Sequence, residues 1–270
     1  MVEGLDETRR MTNNDTATYV YCALQAATRP TLRRGRRGLP ASEAPRAMAA
    51  GDHLWLIVST VPLDHYGAEV IERGLGDLDW VSRCAMAHEA VVEDAARFGP
   101  VIPMKLFTLF GNDERAESHI GRTRKKLARL FDRIAGRQEW GVRVSVDERK
   151  AIKRRTDPAR PAAALSGTGF LMRKKAEKDA ARRVLEEALE EGERIFNELA
   201  GAAIDTRRRT PVQSNTAIRV VLDAAFLVPT KEAGRFRKAV AKQAKTFSGQ
   251  GYEFTLTGPW PPYNFVSESA

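Results

Sequence analysis

From Trp140 onward the hydrophobic pattern changes period in a fixed order, and that order restricts the fold more than any single motif does. Trp140, Val142, Val144 and Val146 alternate with polar partners, the pattern of a half-exposed strand. A long charged helix is predicted from about Phe170 to Ala200, with Val184, Leu185, Ala188, Leu189, Ile195, Phe196 and Leu199 as its apolar stripe. Gly192 inside that helix should cost about 1 kcal/mol relative to Ala. Ile204 to Thr210 reads as a short edge strand, Ile218 to Val228 as a strong strand, Lys231 to Phe247 as a helix and Tyr252 to Thr257 as the last strand. The order β-α-β-β-α-β predicts a ferredoxin-like domain, an antiparallel sheet with both helices on one face.

The upstream half is also α+β, in the order β-β-α-β-α. Thr18 to Leu24 forms a strand with Tyr19 and Tyr21 on one face and Val20, Cys22 and Leu24 on the other. His53 to Ser59 is nearly all apolar, as a strand buried on both faces would be, and Val61-Pro62-Leu63-Asp64 ends it. A helix starts at the N-cap Asp77 and buries Leu78, Val81, Ala85, His88, Val91 or Val92, and Ala95. Gly99-Pro100 stops it, and a third apolar strand is predicted from Val101 to Phe110. The next helix runs from about Asp113 to Ile134, with Ala116, Ile120, Leu127, Phe131 and Ile134 inward and Arg122, Arg124, Lys125, Lys126 and Arg129 in water. The Arg154-to-Gly169 stretch, with Pro158, Pro161, Gly167 and Gly169, reads as a linker. The expected organisation is therefore a disordered tail (1–17), an N-terminal α+β domain (18–137), the ferredoxin-like domain (138–258) and an extended C-terminal tail (259–270).

Two stretches are candidates for contact with a partner or for a structural role. After the last strand, Gly258 and the prolines at 259, 261 and 262 leave a stiff, extended segment carrying Trp260, Tyr263 and Phe265. Such a segment loses little entropy on docking, and the expected role is a strap over the chain's own core. The second is a loop from Arg29 to Gly38 with Arg33, Arg34, Arg36 and Arg37 among glycines, expected to be solvated. The formal net charge of +9 allows nucleic acid, anionic membrane or an acidic protein as partner and does not choose among them. No apolar run approaches the roughly 20 residues that span a bilayer, so no membrane partner is expected. Met1 to Asp15 is polar and lacks the apolar core of a secretory signal. Cys22 and Cys84 lie in apolar patterns and read as buried thiols in a reducing cytoplasm.

Patterns that carry chemistry are few. His88-Glu89 resembles an acid–base pair, but His88 shares the buried stripe while Glu89 turns roughly 100° away, so a core histidine is expected. Histidines 53, 65, 88 and 119 contain no His-x-x-x-His pair, and no metal is expected. Gly167-Thr168-Gly169 before Arg173, Lys174 and Lys175 lacks the rest of a phosphate loop and reads as a hinge. There is no Gly-x-Ser-x-Gly elbow. An enzyme is not expected, nor any cofactor. A basic nucleic-acid-binding module is the alternative, yet the candidate central strands lack the aromatic run of RNA-recognition domains.

Several segments, in order, resemble the gas vesicle F/L protein family. They are Tyr19-Val20-Tyr21, Val58-Ser59-Thr60-Val61-Pro62-Leu63-Asp64, Ala87-His88-Glu89-Ala90-Val91-Val92, Pro100-Val101-Ile102-Pro103-Met104-Lys105, Glu139-Trp140-Gly141-Val142, Gly169-Phe170-Leu171-Met172-Arg173-Lys174, Ala224-Ala225-Phe226-Leu227-Val228-Pro229 and Leu256 to Val266. The chain departs from that pattern at Lys105, where the family favours Arg, at Phe107, where it favours Gly, and at Asp223, where it favours Asn. The resemblance implies two α+β domains, the second ferredoxin-like, and a non-enzymatic accessory or minor structural role in gas vesicle assembly. It implies contact with the small hydrophobic shell protein, to support nucleation or prevent aggregation, and with other gas vesicle accessory proteins. It further implies a cytoplasmic location on the vesicle, at its gas-facing surface. No catalytic residues come with it.

Overall fold

The computed structural model describes residues 15–155, 167–211 and 218–266. The expected tail over residues 1–14 and most of the expected linker (156–166) lie outside them. The chain divides into two compact units, one built from residues up to Ala135 together with Pro261–Val266, the other from Gly136–Trp260.

The first unit runs β1 (Thr16–Gln25), β2 (Arg46–Gly51), β3 (Leu54–Pro62), α1 (Leu63–Tyr66), α2 (Ala68–Gly74), α3 (Leu78–Ala95), β4 (Val101–Pro103), β5 (Leu109–Phe110) and α4 (Asp113–Ile134). Its antiparallel sheet has the order β2-β3-β1-β4, with β5 also paired to β1. The sheet is buried on both faces. On one, Tyr19, Tyr21, Ile57 and Val61 meet Cys84, Val91, Val92 and Ala95 of α3; on the other, Val20, Ala23, Leu56 and Val58 meet α4. All five residues expected to face inward from α4 do so.

Four expectations for this unit need correction. β1 starts at Thr16, inside the expected tail, and Ala17 is already buried. Cys22 and Leu24 do not oppose the tyrosines; they share the α3-side cluster with them. The cause is a bulge, since Val20 pairs with Val58 and Cys22 with Ile57, so Tyr21 is an extra residue that flips the alternation. The third strand is not continuous. Thr108 N–H bonds the Lys105 carbonyl at 3.1 Å and Phe107 takes φ +64°, which turns the chain between β4 and β5. A left-handed backbone disfavours Phe and suits Gly. Phe107 offsets that cost by stacking on Trp80 with ring centroids 5.0 Å apart. Finally, Asp77 does cap α3, accepting from the Asp79 and Trp80 amides, but Leu78 and Ala85 lie outside. The buried face is set by Cys84, His88, Val91 and Ala95, and Leu78 sits about a third of a turn away from it.

The second unit runs β6 (Arg137–Asp147), α5 (Glu148–Arg155), α6 (Gly167–Ala200), β7 (Asp205–Arg208), β8 (Ile218–Pro229), a 3₁₀ turn (Thr230–Glu232), α7 (Ala233–Thr246) and β9 (Tyr252–Trp260). The helix α5 falls where the pattern before the linker suggested none. The four strands form one antiparallel sheet, β7-β8-β6-β9, with the expected long strands all in it and β7 at an edge. Trp140, Val142, Val144, Leu222, Ala224 and Phe226 point to one face, where Ala188, Ile195 and Leu199 of α6 and Phe236 and Val240 of α7 cover them. The α6 stripe is narrower than its sequence suggests, since Leu189 is exposed. Gly192 is the point of closest approach: a Cβ there would stand 2.6 Å from the Val221 carbonyl oxygen. The missing side chain lets the helix seat on β8.

The segment expected to be extended beyond Thr257 is instead strand as far as Trp260, paired with Glu139, and then a helical turn, α8 (Tyr263–Val266). Pro261 and Pro262 precede that turn, and Phe265 N–H bonds the Pro262 carbonyl at 3.0 Å. Proline is well placed at a helix start, where its missing N–H would have no intrahelical partner.

Candidate functional site

The C-terminal residues proposed for contact are divided by the fold. Trp260 ends β9 in the second unit and is half-buried. Pro261–Val266 belong to the first unit, where α8 lies against β4. Phe265 is 1% exposed, Val266 joins the α4-side core, and Tyr263 rests against the α3-side core. A ring buried in this way is not a free contact surface.

The arginine loop is not wholly solvated. Asp94, buried at the end of α3, accepts from the Arg33 amide at 2.7 Å and pairs with the Arg33 and Arg97 guanidinium groups at 3.1 and 2.9 Å. Burial pushes the Asp94 carboxyl up, but the Arg33 amide, the Arg97 guanidinium and the charges of Arg36 and Arg33 outweigh it and hold the group below its ordinary value. Arg36 is half-buried, and Arg34 and Arg37 stand in solvent. Asp94, which anchors this loop, carried no signal in the sequence beyond its place in a helical run.

His88 lies in the core, with Nδ1 2.6 Å from the Tyr19 hydroxyl. Burial pushes its pKa down to about 4, against an opposing pull from the Met104 backbone. Burial pushes the Tyr19 phenol well up, so it stays protonated and donates to Nδ1. A second buried relay runs from the Leu39 amide to the Tyr21 hydroxyl and on to Ser59 Oγ, at 3.0 and 3.1 Å. Gly38 lets the loop pass there, since a Cβ would overlap the Tyr21 hydroxyl. The two tyrosine hydroxyls are satisfied in this way inside the sheet–helix interface, whereas the buried His88 Nε2 meets no hydrogen-bond partner among the described residues. Their geometry orders the core between the sheet and α3.

Among the charged residues on the outer surface of the first unit, a few large apolar side chains stand exposed. Leu78 is 78% exposed and Met86 64%, one face of α3 two turns apart, with Leu75 exposed just before the helix. On the second unit, the sheet face away from the helices carries Asp223, buried and paired with Arg143 at 2.8 Å and with Arg209. Trp140 and Phe226, the aromatics of the two central strands, point the other way, into the helix-side core.

The family model described as gas vesicle synthesis protein GvpL/GvpF matches residues 17–267. The chain belongs to the gas vesicle GvpL/GvpF family. It is 29% identical over 260 residues to gas vesicle protein L of Streptomyces sp. (strain CB03234), covering 94% of each chain. It is 27% identical over 272 residues to gas vesicle protein L2 of Halobacterium salinarum, covering 93% of this chain and 91% of that one. The crystal structure of GvpF from Anabaena sp. PCC7120 superposes with a TM-score of 0.66 at 18% identity, covering 94% of this chain and 98% of that one. GvpF from Microcystis aeruginosa gives 0.64 at 15% identity, covering 93% and 99%. These likenesses place a mixed α/β fold with two antiparallel sheets within the family and associate the chain with gas vesicle assembly. Among the described residues no helix is long and apolar enough to cross a membrane.

Proposed function

We propose that this chain is a non-enzymatic accessory protein of gas vesicle assembly that binds the small hydrophobic shell protein, supporting its nucleation or limiting its premature aggregation. The observation that carries the reading is the family match across residues 17–267. The protein acts in the cytoplasm and on the vesicle, at the gas-facing surface, together with other gas vesicle components. Its second unit is a ferredoxin-like domain, a reading supported by the strand order β7-β8-β6-β9 with both long helices on one face. Leu78 and Met86 on α3, with Leu75 just before it, are the proposed contact with the shell protein, because exposed large apolar side chains near one another suit an apolar partner. The Tyr263–Phe265 turn is a structural strap, and the Arg33–Arg37 loop, pinned by Asp94, is secondary to the apolar face. The nucleic-acid alternative loses support, since the aromatics an RNA-recognition sheet would display are buried under the helices.

Leu78→Glu combined with Met86→Glu tests the contact. Both positions are exposed, so stability should stay within about 0.5 kcal/mol of the parent. Introduced into a host carrying the whole gas vesicle cluster, the double variant should fold and fail to support vesicle formation. Vesicles at the parental yield would remove these residues from the contact.

A further inference from the structure

The second unit leaves one long strand edge open. Among the described residues β9 pairs with β6 alone, and its other side carries no neighbour in the sheet. The bond from Asp147 N–H to the Gly251 carbonyl, 2.9 Å, sets the phase of the ladder. Bonded pairs alternate in an antiparallel ladder, so Glu253, Thr255 and Thr257 exchange bonds with β6 while Phe254 and Leu256 turn their N–H and C=O outward. Among the described residues no backbone hydrogen bond reaches those outward groups.

Strand edges are normally blunted by shortness, by charge, by bulges or by proline. The opposite edge of this sheet, β7, has four residues, two of them Arg207 and Arg208. In the first unit, the edge strand β2 is interrupted by a register shift between Ala49 and Gly51. From Tyr252 to Thr257, β9 carries the strand formers Tyr252, Phe254, Thr255 and Thr257 and a single charge, Glu253. Its Gly258 and Pro259 lie only at the far end.

We propose that this edge pairs with the same edge of a second copy of the chain, antiparallel about a two-fold axis at Thr255, joining the two sheets into one. The strand is self-complementary in that register. Phe254 stands opposite the second copy's Leu256, and Leu256 opposite its Phe254, both as bonded pairs that use the outward backbone groups. Thr255 meets Thr255 in the closer non-bonded spacing, where facing threonines interact favourably. Glu253 faces Thr257, so the one charge never opposes itself. The side chains of Glu253, Thr255 and Thr257 are exposed and free to make these pairs. This inference does not depend on the shell-protein reading.

Sedimentation velocity of the full chain over a wide concentration range tests it. The parent should populate a species of twice the 30.0 kDa chain mass as concentration rises. Thr255→Lys and Thr255→Glu each place like charges opposite one another and should abolish the dimer while melting like the parent at dilutions where the parent is monomeric. Mixed in equal amounts, the two variants should dimerise again, because Lys then faces Glu. A parent that stays monomeric at every concentration overturns the proposal, whether or not another protein's strand uses the edge. A dimer indifferent to either substitution, or a mixture that stays monomeric, overturns it equally.

Discussion

At the scale of single residues, the first unit keeps a neutral histidine where water cannot reach it. The unfolded chain takes up a proton at His88 near the ordinary value of 6.5, while the folded chain resists until about 4. Between those values the unfolded state binds more protons, so stability falls as pH drops through 6.5 towards 4. The loss amounts to about 2 kcal/mol between roughly pH 7 and pH 5. His88→Gln removes this titration, and its melting temperature should decline less over that window than the parent's; parallel declines would show that His88 is not held neutral. The structural role of His88 was legible because a histidine in a buried helical stripe rarely has solvent access. The phase of that stripe was not. Alanine and valine recur all round α3, and packing against the sheet, where His88 meets Tyr19 and Tyr21, selects the face containing His88 over the one containing Leu78. Leu78, one of the residues proposed for the shell protein, therefore reads from the sequence as core. Phe107 shows a similar limit, because no local pattern announces a left-handed residue that stacking on Trp80 holds in place.

At the scale of elements, helix propensity and packing disagree at Gly192, and packing decides. Alanine would gain about 1 kcal/mol as a helix former. It would also press a methyl group against the Val221 carbonyl of β8, which has a neighbouring strand on each side. Overpacking of that kind costs typically 1–3 kcal/mol, so Gly192→Ala should destabilise the protein in a denaturant titration. A more stable variant would mean that α6 can lift off the sheet at little cost. The second unit was the more legible of the two because its strands alternate cleanly and its helices are long. In the first, the bulge at Tyr21 reverses the side-chain alternation of β1 without any glycine or proline to mark it. The break after β4 does have a local mark, since β4 ends on Pro103, but the otherwise apolar run from Val101 to Phe110 hides it.

At the scale of the whole molecule, the first unit is assembled from both ends of the described chain. β1 is central to its sheet, and from the other end of the sequence Tyr263 and Val266 reach its two cores while Phe265 is fully buried beside them in the chain. Phe265→Ala should cost about 3–5 kcal/mol, the range for a fully buried phenylalanine, seen as a lower melting temperature of the intact chain. A melt that overlays the parent's would show that α8 is dispensable to the unit. The aromatic C-terminal run was legible as a strap but not as a helical turn, because prolines that forbid a helix interior are well suited to its start. The family relationship ties this architecture to gas vesicles, and the central claim is that the protein's work there is to hold the apolar shell protein. Co-purification of the shell protein with this chain, from a host expressing the whole cluster and washed at rising salt, tests that claim most directly. An apolar contact should retain the shell protein as salt rises, and Leu78→Glu with Met86→Glu should release it. Absence of the shell protein at every salt concentration, with nucleic acid bound at low salt and lost steeply as salt increases, would contradict the account.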